Sequence, residues 1–95
     1  MGVLTGFVVV DLSILVQGPQ AASMLRDLGA DVIKIEDPDG GDPYRSFVPS
    51  WVGSTAGAAP TINGAFEIDN RNKKSIAVNL RTPEGQQVVY RLIQD

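Results

Sequence analysis

The hydrophobic pattern opens with Phe7-Val8-Val9-Val10-Asp11-Leu12, a largely β-branched run bounded by Gly6 and Ser13. Its apolar side chains fall at both odd and even positions. A strand that is apolar on both faces suits the middle of a parallel sheet covered by helices on both sides; one strand of an antiparallel core is the plainer alternative. The next element favours the parallel reading. Ala21, Met24, Leu25 and Leu28 recur at i, i+3, i+4 and i+7, one apolar helix face, with Arg26 and Asp27 off it. Gly18-Pro19 is the expected start, since proline at the first helical position gives up no needed donor, and Gly29 suits the left-handed residue that ends a helix. Asp31-Val32-Ile33-Lys34-Ile35-Glu36 then reads as a second strand after a very short link. Strand, helix and strand make a βαβ unit, in which ligands bind beyond the carboxyl ends of the strands. Here those ends are the Ser13–Gly18 loop and the residues after Ile35.

Asp37-Pro38-Asp39-Gly40-Gly41-Asp42-Pro43 is a turn by composition, because proline fixes φ and glycine permits positive φ. Glu36, Asp37, Asp39 and Asp42 put carboxylates in it, but the glutamate that a calcium loop needs at its twelfth position is absent. Counting from Glu36 or Asp37, that position is Phe47 or Val48. A solvated acidic turn is expected, and no metal site. Tyr44 to Gly64 lacks either period and holds the single tryptophan, Trp51. So long an irregular stretch in a small domain is a functional loop, a mobile insertion or a surface for a neighbouring chain. A short helix is expected over about Ile62–Ile68. Ser75 to Leu80 forms the third strand, with Ile76, Val78 and Leu80 facing one way. Thr82 caps a following helix, Pro83 takes its first position, Glu84 meets the positive end of its dipole, and Val88, Val89, Leu92 and Ile93 form its buried stripe.

Composition narrows the chemistry. The 95 residues amount to about one small domain, and 43% hydrophobic with 20% charged residues is ordinary globular protein. A net charge of −3 argues against a general nucleic-acid binder. With no cysteine and no histidine, disulfides, thiolate or histidine metal sites and histidine-based triads are excluded within the chain. The N-terminus lacks the basic residues of a secretory leader, Gly6 stands where myristoylation wants Ser or Thr, and no apolar stretch approaches the roughly 20 residues that span a bilayer. A cytoplasmic protein, or a matrix-type one lacking its targeting sequence, is expected, with no membrane partner. Against this acidic background Arg71, Lys73, Lys74 and Arg81 lie within eleven positions around the third strand. A solvated basic loop is the plain meaning of such a cluster; a place to meet a phosphate-bearing ligand is the functional one.

Two nucleotide motifs fail. The first strand–helix turn reads Gln17-Gly18-Pro19-Gln20-Ala21-Ala22, one glycine of the G-x-G-x-x-G that a dinucleotide site uses, although Glu36 ends the second strand where an acid could grip a ribose. No G-x-x-x-x-G-K-[ST] occurs anywhere.

Three blocks together resemble the N-terminal part of the class III CoA-transferase family, which includes formyl-CoA transferases, carnitine-CoA transferases and α-methylacyl-CoA racemases. The first is Val9-Val10-Asp11-Leu12-Ser13 followed by Gly18-Pro19; the second is Leu28-Gly29-Ala30-Asp31-Val32-Ile33-Lys34-Ile35-Glu36 with Gly40-Gly41-Asp42-Pro43 and Arg45. The third is Asn70-Arg71-Asn72-Lys73-Lys74-Ser75-Ile76-Ala77-Val78-Asn79-Leu80, with Thr82-Pro83-Glu84-Gly85 after it. They stand in the family's order and cover nearly everything outside Phe47–Ala65.

The resemblance implies an α/β fold: a Rossmann-like parallel sheet with flanking helices, the N-terminal part of the large domain of an interlocked-dimer CoA-transferase. It implies a homodimer acting on acyl-CoA, with coenzyme A as substrate and no separate cofactor. In the transferases an aspartate attacks the thioester to form a mixed anhydride; in the racemases a histidine and an aspartate move the α-proton. Both sets of catalytic residues belong downstream, so the whole chain, 1–95, is expected to be about the first quarter of a member and inactive alone. A non-enzymatic βαβ module using the Tyr44–Gly64 loop as a partner surface is the rival reading. By the same resemblance, CoA contacts fall on Val16 and Gln17 after the first strand, on Asp37 after the second, and on Val78, Asn79, Leu80 and Arg81 at the end of the third. At the Asp37 position the family often has an arginine facing the nucleotide; aspartate cannot pair with a phosphate. Its loop before Gly-Pro commonly reads Ala-Gly-Pro, where this chain has Gln17-Gly18-Pro19. Arg81 is the strongest candidate, because a guanidinium meets phosphate with paired hydrogen bonds. Lys73 and Lys74 would add longer-range attraction. For Asp11 and Glu36, capping or ion pairing at strand ends is expected ahead of any catalytic role.

Overall fold

Residues 2–45 and 64–94 are described by the computed structural model. In chain order they form β1 (Val8–Asp11), α1 (Gln17–Asp27), β2 (Asp31–Glu36), a 3-10 turn (Pro43–Arg45), α2 (Gly64–Asn70), β3 (Lys74–Ala77) and α3 (Pro83–Gln94). The three strands pair in parallel in the order β1-β2-β3, the α/β arrangement that the βαβ pattern implies. Within this sheet β2 is central. β1, whose apolar run suggested a middle strand, lies at an edge. A groove lined by Gly6, Phe7, Val8, Val10, Leu12, Leu92 and Ile93 runs beside it.

The register decides which side chains share a face. Asp11 lies opposite Lys34, and Lys34 opposite Ser75, so these three polar residues form one row across the sheet. Because side chains alternate along a strand, Val10, Ile33, Ile35 and Ile76 point the other way. There they pack with Val78 against Val89 and Leu92 of α3, which is the main apolar core. The expected stripe of α3 therefore holds only in part: Val89 is buried and Leu92 half-buried, while Val88 and Ile93 are exposed. Thr82 caps that helix as expected, its Oγ1 accepting from Gly85 N at 3.1 Å.

α1 covers the polar face of the sheet, and it does so with a different side from the one its hydrophobic pattern indicates. Pro19, Ala22 and Ser23 are buried, whereas Met24 is 59% exposed and Leu28 47%. Small side chains on the inner face let α2 come close: Ser23 Oγ donates to the Asp69 carbonyl, and Arg26 Nε donates to Asn72 O at 3.2 Å. The helix starts at Gln17, so Pro19 occupies its third position, still inside the first turn where a missing N–H leaves no carbonyl unmatched. Gly29 follows with φ +107°, the left-handed residue predicted after the helix.

Two expected elements shift. β3 is Lys74–Ala77 and not Ser75–Leu80; its last residues leave the ladder after Val78 N donates to Glu36 O at 2.9 Å. The helix expected over Ile62–Ile68 is α2, Gly64–Asn70. Most of the Tyr44–Gly64 stretch, including Trp51, lies outside the described residues. Tyr44 at its start is buried against Phe66 of α2. No helix among the described residues is long and apolar enough to cross a membrane.

Candidate functional site

A cleft of about 180 Å³ opens beyond the carboxyl ends of the strands, where βαβ logic puts a ligand. Leu12 and Ile14 of the β1–α1 connection line it from one side and Ile35, Glu36 and Asp37 from the end of β2. Val78, Asn79, Leu80 and Arg81 close it from the β3 side. Five of the seven residues predicted to meet CoA thus come together: Asp37, Val78, Asn79, Leu80 and Arg81. Val16 and Gln17 sit farther along the connection, at the start of α1, and are not among the lining residues. The connection reaches the cleft through Leu12 and Ile14 instead, which the sequence does not distinguish from other loop apolars.

The β3 wall is a turn built from its own polar groups. Asn79 Oδ1 accepts from Arg81 N at 3.0 Å, Asn79 O accepts from Thr82 Oγ1 at 3.0 Å, and Gln86 Nε2 donates to Leu80 O at 3.0 Å. These bonds fix the backbone under Arg81 and leave its exposed guanidinium without an ion-pair partner among the described residues. The cluster of basic residues therefore separates into unlike members. Arg71 is tied to Asp27, and Lys73 is buried in the fold; Lys74 and Arg81 remain exposed.

Lys73 belongs to a buried charge network that the sequence reading missed. Its ammonium donates to Asp11 Oδ2 at 2.7 Å, to Asn70 Oδ1 at 2.8 Å and to Pro19 O at 2.9 Å, which leaves it no reach toward a ligand's phosphates. That corrects the expectation of a long-range attractor. Lys34, 1% exposed, pairs with Asp42 Oδ2 at 2.8 Å and lies 3.8 Å from Asp11. Asp42 in turn accepts from Leu15 N at 3.1 Å and Tyr44 N at 2.9 Å. The acidic turn is thus solvated only at Asp37 and Asp39; Asp42 is part of the interior. Among the described residues no group of carboxylates is arranged as metal ligands.

Glu36 ends the same face. Arg45 grips it through Nε at 2.6 Å and Nη2 at 2.7 Å while lying over the Phe66 ring at 4.2 Å, and Ser75 Oγ and Asp42 N also donate to it. The Arg45 guanidinium is the main reason its pKa falls to about 2, with Ser75 and the Asp42 amide adding to it against the cost of burial. For Asp11, burial pushes upward, but the bonds from Lys73 and Ser13 together outweigh it and hold the carboxyl below its ordinary value. Both carboxylates are ion-paired structural groups, as expected of strand-end acids.

The lowered carboxylates fix the sign of the acid response. A carboxyl depressed in the fold supports it fully above the ordinary value of about 4.5 and loses that support as pH falls toward about 2. Acid titration of the wild type between those values should show a steep loss of stability. Glu36→Gln should be less stable at neutral pH and less sensitive over that window; equal slopes would show that Glu36 is not held by Arg45.

Comparison with known proteins agrees with this architecture. The sequence model of CoA-transferase family III matches residues 4–95. The succinate–glutarate CoA-transferase of Agrobacterium fabrum is 44% identical over 92 residues, 96% of this chain and 22% of that protein. The human succinyl-CoA:glutarate CoA-transferase is 40% identical over 89 residues, 94% of this chain and 19% of its own length. Among solved structures, a CAIB/BAIF family protein from Brucella suis superposes with a TM-score of 0.78 at 38% identity, covering 97% of this chain and 23% of that one. A hypothetical protein from Mycobacterium tuberculosis gives the same TM-score, 0.78, at 38% identity. The chain spans about a fifth of the length of the curated relatives it matches.

Proposed function

Because this chain belongs to CoA-transferase family III, we propose that it is the N-terminal segment of an enzyme that moves CoA between carboxylic acids, and that its cleft holds the nucleotide end of the CoA ester. The observation that carries this reading is the convergence of Asp37, Val78, Asn79, Leu80 and Arg81 on one cleft at the carboxyl ends of parallel strands. β1, at the sheet's edge among the described residues, and the groove beside it lined by Phe7, Val8, Val10, Leu12, Leu92 and Ile93 support the larger-domain part, since they offer a longer sheet a surface to cover.

In this reading the reacting carboxylate lies elsewhere in the enzyme. An aspartate there attacks the thioester carbonyl, the C–S bond breaks, CoA leaves as thiolate, and an acyl–aspartyl anhydride remains for the second half of the exchange. This segment's part is to bind and orient: Arg81 supplies the cation, and Val78 and Leu80 supply an apolar floor for a base. Binding energy on the remote nucleotide is what a transferase can use to position the thioester. The names of the relatives point to short dicarboxylic acids as the exchanged groups. An α-methylacyl-CoA racemase of the same family is the competing assignment; the relatives named here favour transfer. The enzyme is proposed to work as an interlocked homodimer.

The test is Arg81→Ala in the complete polypeptide. Loss of a charge-assisted contact to phosphate should weaken CoA-ester binding about tenfold or more by calorimetric titration. Unchanged affinity would return Arg81 to the protein surface and remove the nucleotide from this cleft.

A further inference from the structure

We infer that Asp37 and Arg81 divide the nucleotide between them, so that Asp37 takes the ribose hydroxyl and disfavours the ribose 3′-phosphate of CoA while Arg81 takes the 5′-phosphate chain. The inference rests on the CoA reading above and adds which part of the nucleotide the cleft selects. An acid just after the second strand of a βαβ unit is placed to accept a hydrogen bond from a ribose hydroxyl, where an arginine would accommodate a phosphate. Two acids stand there, but only one is available. Both oxygens of Glu36 are filled by Arg45, Ser75 and the Asp42 amide. Asp37 is exposed, and only its Oδ1 is engaged, accepting from Asp39 N at 2.8 Å. That bond orients the carboxylate and leaves Oδ2 open.

The cations of this region are committed elsewhere. Lys34 and Lys73 lie buried against Asp11 and Asp42, and Arg45 is held by Glu36. Of the residues lining the cleft, Arg81 is the single cation, and it comes from the β3 side, whereas Glu36 and Asp37 form the β2 side. A phosphate at the β2 side would meet two carboxylates and no lining cation. A hydroxyl there gains a charged acceptor. The cleft is therefore built for a nucleotide with its phosphates gathered at one end.

The experiment compares CoA with 3′-dephospho-CoA, by calorimetric titration at low salt, on the complete polypeptide as wild type, Asp37→Asn, Asp37→Arg and Arg81→Ala. The wild type should favour 3′-dephospho-CoA over CoA by the factor that Asp37 repulsion supplies. Repulsion between exposed like charges amounts to about two- to fivefold. Asp37→Asn should shift the preference toward CoA by about that factor, and Asp37→Arg should shift it further. Arg81→Ala should weaken both ligands alike, since both carry the 5′ diphosphate. A preference that Asp37 substitutions leave unchanged overturns the inference, as does Arg81→Ala weakening CoA alone. Binding of neither ligand by the wild type overturns the CoA reading and this inference with it.

Discussion

Replacing Lys34 by methionine should cost the fold about 3–5 kcal/mol, the penalty for leaving a buried charge without its partner. The Lys34 ammonium lies 2.8 Å from Asp42 Oδ2, and both side chains are at most 1% exposed. Asp11 would keep Lys73 at 2.7 Å, so the damage falls on Asp42. That carboxylate orients Leu15 N and Tyr44 N, and thereby the β1–α1 connection and the turn after β2. The double variant Lys34→Met with Asp42→Asn removes both charges and should recover part of the loss, because a buried pair deleted together costs far less than one broken singly. Denaturant unfolding of the complete polypeptide measures the cycle. Hydrogen exchange at the Leu15 and Tyr44 amides localises it. Strictly additive costs would mean that the two side chains do not share a buried site.

This network also explains what could and could not be read in advance. The βαβ unit, the Gly29 terminus, the Thr82 cap and the third strand carry their signals locally, in periodicity and in residues with special backbone or capping roles. The polar face of the sheet carries none. Lys34 and Glu36 alternate with Ile33 and Ile35 as they would on a half-solvated strand, and Asp11 closes an otherwise apolar run. Only the pairing of Val8 with Asp31 sets Asp11 beside Lys34, and that register belongs to the tertiary fold. The same cause misdirects the reading of α1. Its apolar stripe points away from the sheet, and the side turned inward carries Pro19 and small Ala22 and Ser23, which suit the close approach of α2. The cleft was legible to the extent that family resemblance marked the strand ends. The commitment of Lys73 to Asp11 was not, since one lysine in a basic run looks like another.

Network and cleft are one construction. Asp11 and Ser13 hold the end of β1, and Ser13 N donates to Asp11 Oδ1 at 2.9 Å. Glu36, at the end of β2, binds Arg45 of the turn that follows it and Ser75 of β3. The cleft begins at these anchors: Glu36 is one of its lining residues, and Asp37 and Arg81 lie beyond it. That arrangement puts charge pairs behind the cleft and leaves Asp37 and Arg81 exposed in its lining.

Gly85→Ala should damage the site and the fold together. A Cβ on Gly85 would sit 1.9 Å from the Asn79 carbonyl oxygen and 2.7 Å from its carbon, and Asn79 is part of the cleft wall. The obstruction is backbone, so no side-chain rotation relieves it. Either α3 must withdraw from the sheet, loosening Val89 from Ile35 and Val78, or the Asn79–Arg81 turn must move. Overpacking of this kind costs about 1–3 kcal/mol. The same displacement carries Arg81 away from its place, and a loss of about 1.4 kcal/mol in binding is tenfold in affinity. Gly85→Ala is therefore expected to lower both the unfolding midpoint and CoA-ester affinity. Gln87→Ala, an exposed change two residues along the same helix, should move neither. If Gly85→Ala unfolds and binds like the wild type, the contact between the start of α3 and the Asn79 carbonyl is not as close as described. If stability falls while affinity holds, the turn stays in place and α3 is the element that yields, which would separate the cap of the helix from the wall of the cleft.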